Sequence, residues 1–256
     1  MRIQKPILES KEALTAFLKP YPPNQKTTEV SRDIFEQITN KGQVVIPANR
    51  DLTIIPDKMP LLNLKLLIKG QFKAITTFLS GKINIVGGEA ILGDFLGDIT
   101  AKNGVLGFMN VLGDIKAKEC TLYGINTTGN IKVENSTMRS NGTIIGAVTA
   151  TGSKITNNGG IAGPINLTNS TLITKGDAMS GANAKKRSQL RIKGEPTGSF
   201  KCDTTSQIRT AKPPSYEAPM SGIKTQAPKI ILPEKKLLPA AKFLRQYAKT
   251  HHTHLN

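Results

Sequence analysis

The sequence predicts an all-β fold, a single-stranded parallel β-helix of 16–17 residues per turn, and three observations predict it. Glycines recur at Gly81, Gly97, Gly113, Gly129, Gly146 and Gly163, at intervals of 16 or 17 residues. Two and four residues after each anchor stand apolar pairs such as Ile83 and Ile85, Ile99 and Ala101, or Ile131 and Val133, with a polar residue between. Nine residues after each anchor comes a further apolar position (Ala90, Leu106, Leu122, Met138, Ile155, Leu172), and two before it another, where only Thr127 is polar. A unit this short holds three strand segments joined by tight bends, whereas helical repeats need about 20 residues or more. Side chains alternate along each segment, so the aliphatic pairs enter the core while Asn84, Thr100, Lys116, Lys132, Thr149 and Asn166 face water. Successive turns then stack about 4.8 Å apart with the glycines at the corners, and parallel crossovers predict a right-handed coil.

In chain order, residues 1–42 are a helical arm. Ser10 caps a helix running to Leu18 with Leu14, Phe17 and Leu18 on one side, and Pro20, Pro22 and Pro23 end it. A second short helix, Ser31 to Ile38, carries Ile34, Phe35 and Ile38. An uncovered parallel edge is a template for another chain, so these apolar faces are expected to cover the first turn; a partner-binding arm is the other reading. Residues 43–176 are the β-helix. Its opening turns, through Val44-Val45-Ile46, Leu52, Ile54, Leu64, Leu66, Ile68 and Phe72, are out of strict register and punctuated by Pro47, Pro56 and Pro60. Residues 177–210 read as an irregular end, where Leu190, Ile192, Phe200 and Cys202 add one more edge strand or turn. Residues 211–256 form a Pro-rich basic tail of disordered character, with a short amphipathic helix over 239–250 that places Lys242, Phe243, Leu244, Arg245, Tyr247 and Lys249 for contact with a partner or a membrane surface.

Composition narrows the function. The net charge is +17 over 256 residues, and from Lys175 onward sixteen Lys and Arg stand against five Asp and Glu. Such an excess attracts an anionic membrane surface, an acidic protein or nucleic acid. Two cysteines make no disulfide framework, and Cys120 falls at the small inward position that Gly88, Gly104, Ser136, Ser153 and Ser170 occupy elsewhere. No run reaches the ~18 apolar residues of a membrane span, and Met1-Arg2-Ile3-Gln4 leads into no signal-peptide core, so the protein is expected to be cytosolic, or exported by a route with no N-terminal leader.

Chemistry is sparsely represented. Asp98 and Asp114 hold equivalent positions on adjacent turns, with Asn130 next and Asp94 near; stacked carboxylates bind calcium in β-helix enzymes acting on acidic polysaccharides, yet Asp and Asn after a corner glycine are also ordinary bend residues. No phosphate loop, no His-Glu-x-x-His and no Cys-x-x-Cys occurs, and His251, His252 and His254 all lie at the extreme C-terminus. The expectation is a non-enzymatic protein without cofactor or metal.

The phrases Gly97-Asp98-Ile99-Thr100-Ala101, Gly113-Asp114-Ile115-Lys116-Ala117 and Gly129-Asn130-Ile131-Lys132-Val133 resemble the bactofilins over roughly residues 65–175. The resemblance implies a bacterial cytoskeletal scaffold that polymerises end to end without nucleotide, located in the cytoplasm and, as in some members of that family, peripherally at the inner membrane. Elementary physics gives the same expectation, because a parallel stack ends in unpaired backbone groups over an aliphatic core. The expected polymer interface lies in the terminal turns, at Leu64, Leu66 and Ile68 on one side and Ile165, Leu167 and Leu172 on the other. The competing reading is a capped monomeric solenoid that serves as a binding module, in one version a secreted bacterial effector.

Overall fold

The computed structural model describes residues 7–19, 27–39, 42–57 and 59–211. Among the described residues, 23 strands form one hydrogen-bonded sheet wound into a parallel β-solenoid of about nine turns, with two short helices. Every strand pairing is parallel, and each turn contributes to three walls.

On the anchor wall, Val44, Leu66, Ile83, Ile99, Ile115, Ile131, Val148, Ile165, Ala182 and Phe200 lie in register one above another. The second wall stacks Thr28, Leu52, Phe72, Ala90, Leu106, Leu122, Met138, Ile155, Leu172, Leu190 and Ile208. The third stacks Leu61, Leu79, Phe95, Val111, Thr127 and Ile144, then continues through single bridges at Ile161, Ala178 and Pro196. These columns meet in one continuous apolar core. Alternation along each strand puts every second side chain inside, so one short coil suffices to renew the core at each level.

The corners follow from backbone sterics. Gly81, Gly97, Gly113, Gly129 and Gly146 have φ between 134° and 149°, a region open to glycine and strained for any residue with a Cβ. A Cβ on Gly97, Gly113 or Gly129 would also collide with the carbonyl oxygen of the glycine one turn earlier. At the bend into the second wall the chain passes through a left-handed residue, Asn103, Glu119, Asn135, Gly152 or Asn169.

Regular stacking extends beyond the expected limits in both directions. Ile7–Leu8 and Thr27–Val30, inside the arm, are already strands of the second wall. At the other end Ala182–Lys185, Gln189–Ile192, Phe200–Cys202 and Gln207–Thr210 are full strands in register, so residues 177–210 are rungs of the same solenoid. The interval has lengthened to 18, as from Ser170 to Ser188 to Ser206. The small side chains of Ala182 and Ala184 are followed one turn later by the fully buried ring of Phe200.

Candidate functional site

A solenoid whose interior is one continuous apolar core acts through its ends and its outer walls. The N-terminal end is occupied by helices. Ser10 caps α1 (Lys11–Phe17), its Oγ accepting the Ala13 N–H at 3.1 Å, and Ser31 accepts the Ile34 N–H at the start of α2 (Arg32–Thr39). Leu14, Phe17 and Phe35 are buried in the same core as the first rungs, and Ile34, Ile38 and Leu18 pack at its edge. The Phe35 ring stacks on Phe72 with 5.8 Å between centroids, so α2 plugs the column where another turn would sit. Arg50 fastens α1. It is only 2% exposed, donates from Nε to the Phe17 carbonyl at 2.7 Å and from a terminal nitrogen to the Lys19 carbonyl at 3.4 Å, and lies 5.2 Å from the Phe17 ring centre. It satisfies carbonyls that a helix C-terminus leaves without partners. Nothing in the local sequence marks this arginine, because its partners belong to a distant part of the chain.

The C-terminal end differs. Among the described residues no strand pairs with the outer edge of Phe200–Cys202 or of Gln207–Thr210, and the half-buried Cys202 lies on that last level. The six residues expected at the polymer interface are not terminal. Leu64, Leu66 and Ile68 belong to Leu61–Ile68, which has Val44–Ile46 on one side and Leu79–Val86 on the other. Ile165 and Leu167 lie between Val148–Thr151 and Ala182–Lys185, and Leu172 between Ile155 and Leu190. All six are buried core residues. The extra turns displaced them inward, because short or alanine-containing strands concealed the true ends.

The corner carboxylates serve the backbone. Asp98 Oδ1 accepts the Asp114 N–H at 3.1 Å, Asp114 Oδ1 accepts the Asn130 N–H at 2.8 Å, and Asn130 Oδ1 accepts the Ala147 N–H at 3.0 Å. Asp94 accepts from Asn110 Nδ2, which itself lies under Asn126 in a second such ladder. Among the described residues no group of three His, Cys, Asp or Glu is placed to hold a metal ion. A third ladder runs inside. Cys120, Ser136, Ser153, Ser170 and Ser188 each donate their N–H to the Oγ of the serine one turn later, the last of these being Ser206, at 3.0–3.2 Å. The hydroxyls of Ser136, Ser153 and Ser170 donate in turn to carbonyls two residues back. Buried N–H groups at a bend, where the strand ladder is interrupted, thus find acceptors. Cys120 keeps its place in this column, 4% exposed, with burial pushing its thiol pKa up.

The walls are chemically distinct. The anchor wall shows Lys116 and Lys132 in one outward column and the Lys118–Glu134 ion pair at 3.0 Å in the next. The third wall carries Leu96, Leu112, Ile145 and Met179, each about half exposed. The second wall is basic over its C-terminal rungs. Compared with known proteins, the chain matches no family model, no curated sequence and no solved structure. No described helix is long and apolar enough to cross a membrane. The tail residues Lys242, Phe243, Leu244, Arg245, Tyr247 and Lys249, the helix expected over 239–250 and the terminal histidines lie outside the described residues.

Proposed function

We propose that this chain is a non-enzymatic structural scaffold, a β-solenoid closed at its N-terminal end that associates with a second copy through its C-terminal edge and presents its walls to partners. One observation carries the reading: α1 and α2 cover the first end with Leu14, Phe17 and Phe35, whereas among the described residues no helix follows the last two strands, whose outer edges are unpaired as are those of Ile7–Leu8 and Val44–Ile46. Two open ends propagate a filament. A single open end, meeting its own kind about a two-fold axis, closes on itself as a pair. The bactofilin-like reading, a cytoskeletal filament, is supported by the Gly-Asp-Ile-x-Ala corners, and it requires the helical plug to lift.

Sedimentation of the full chain over a range of micromolar concentrations, with thiol-specific cross-linking at Cys202, tests this. The expected species are monomer and a dimer cross-linked through Cys202. A monomer at every concentration refutes edge association, and long polymers refute the closed end.

A further inference from the structure

We propose that the C-terminal half of the second wall is a binding surface for an acidic polysaccharide, an extended hydroxylated chain bearing carboxylates or sulfates. The outward positions of the last rungs hold Arg139, Lys154, Lys175, Arg191, Lys193 and Arg209, all exposed or half-exposed. No residue on the second-wall strands from Thr121–Gly124 to Gln207–Thr210 is acidic. Among the described residues none of the six cations takes part in an ion pair. Asp177 and Glu195 lie past the bend toward the third wall, where Asp177 Oδ1 accepts the Glu195 N–H at 2.7 Å. Lys186 and Arg187 extend the basic surface at the opposite bend.

The register arranges these charges. Arg139, Arg191 and Arg209 share one outward column with Thr156 and Ile173. Lys175 and Lys193 follow the strands Thr171–Thr174 and Gln189–Ile192 at the same offset, in the next column. Adjacent columns stand about 6.6 Å apart and levels about 4.8 Å apart, so a linear polymer running along the axis meets at least one cation at each level from Arg139 to Arg209. Thr137, Thr171, Gln189 and Gln207 share the column of Lys154, and Asn141 and Asn158 follow their strands at the offset of Lys175, offering donors and acceptors suited to sugar hydroxyls.

The same wall disfavours other polyanions. Single-stranded nucleic acid is held by aromatic stacking platforms, and Tyr123 is the one aromatic residue facing outward here among the described second-wall rungs from Thr121 on. Interfacial membrane binding uses apolar anchors beside the cations, but the large exposed apolar side chains stand elsewhere, as at Leu96, Leu112, Ile145 and Met179 on the third wall. A flat wall also has no element to enter a duplex groove.

The inference does not depend on self-association. It is tested with the full chain by calorimetry against polygalacturonate, with neutral dextran, oligo(dT) and vesicles containing phosphatidylglycerol as comparisons. The wall variant Arg139→Gln/Lys175→Gln/Arg191→Gln/Lys193→Gln should bind polygalacturonate about tenfold or more weakly, each exposed charge contributing modestly. A tail variant, Lys242→Gln/Arg245→Gln/Lys249→Gln, should bind as the parent does. Unchanged binding by the wall variant, an equal loss in the tail variant, or tighter binding to oligo(dT) or vesicles overturns the proposal. Thermal unfolding of both variants, expected to match the parent because the substituted side chains project outward, shows that any loss is not one of fold.

Discussion

Replacing Arg50 with alanine should release the N-terminal plug while leaving the solenoid wound. The Nε bond to the Phe17 carbonyl at 2.7 Å is made by a charged, buried donor, and such a bond contributes about 1.5–3 kcal/mol. A cation against a helix C-terminus adds about 0.3–1 kcal/mol, and its placement 5.2 Å from the Phe17 ring centre about 1 kcal/mol more. Relief of the cost of burying the cation offsets part of this, so the net loss is about 3 kcal/mol. Because Arg50 joins α1 to the loop before Asp51–Ile54, the loss falls on opening of the arm. Amide hydrogen exchange in α1 and its C-cap, at Leu14 and Leu18 in particular, should accelerate on the order of a hundredfold, while the amides of Ile115 and Ile131 keep their protection. Arg50→Lys, which retains charge without the planar fork, should fall between parent and alanine variant. Sedimentation of Arg50→Ala should show species larger than a pair once the first end is exposed. Unchanged exchange in α1 would refute the assignment of Arg50 as the fastening. Fast exchange without larger assemblies would refute the claim that the plug limits association.

Ser153→Ala strips the acceptor from the buried Ser136 N–H and the donor from the Thr151 carbonyl, so chemical denaturation should show a loss of about 2 kcal/mol; a loss near zero means the ladder is incidental. Asp114→Asn keeps an oxygen for the Asn130 N–H and should leave stability and calcium response unchanged, whereas Asp114→Ala should cost about 1 kcal/mol; calcium-dependent stabilisation of the parent would show that the carboxylates bind metal after all. Asp203, held by the Lys186 N–H and the Thr205 side chain, has its pKa lowered to about 2. Its folded value lies below the ordinary carboxylate value, so its contribution is complete above about pH 4 and is lost as the pH falls toward 2. Exchange of the Lys186 amide should quicken over that window and become independent of pH there, after correction for intrinsic exchange, in Asp203→Asn.

The amino-acid sequence by itself determined the winding. Period-two alternation within segments and the regular recurrence of glycine leave a parallel coil as the arrangement in which the aliphatic pairs after each glycine are buried, and Ile99, Ile115 and Ile131 do lie over one another. The arm helices were legible for the same reason, since Ser10, Ser31 and the spacing of Leu14, Phe17 and Phe35 act within a short stretch of chain. Where the coil begins and ends was decided only by tertiary structure. Strands as short as Ile7–Leu8, or as weakly apolar as Ala182–Lys185, gain their identity from the rung beneath them, and a register set by a neighbouring turn leaves no local periodicity to read. For the same reason the role of Arg50 and the gathering of Arg139, Arg191 and Arg209 into one column became visible only after folding: charges remote from one another along the chain meet because the coil repeats, and each alone is an ordinary surface residue.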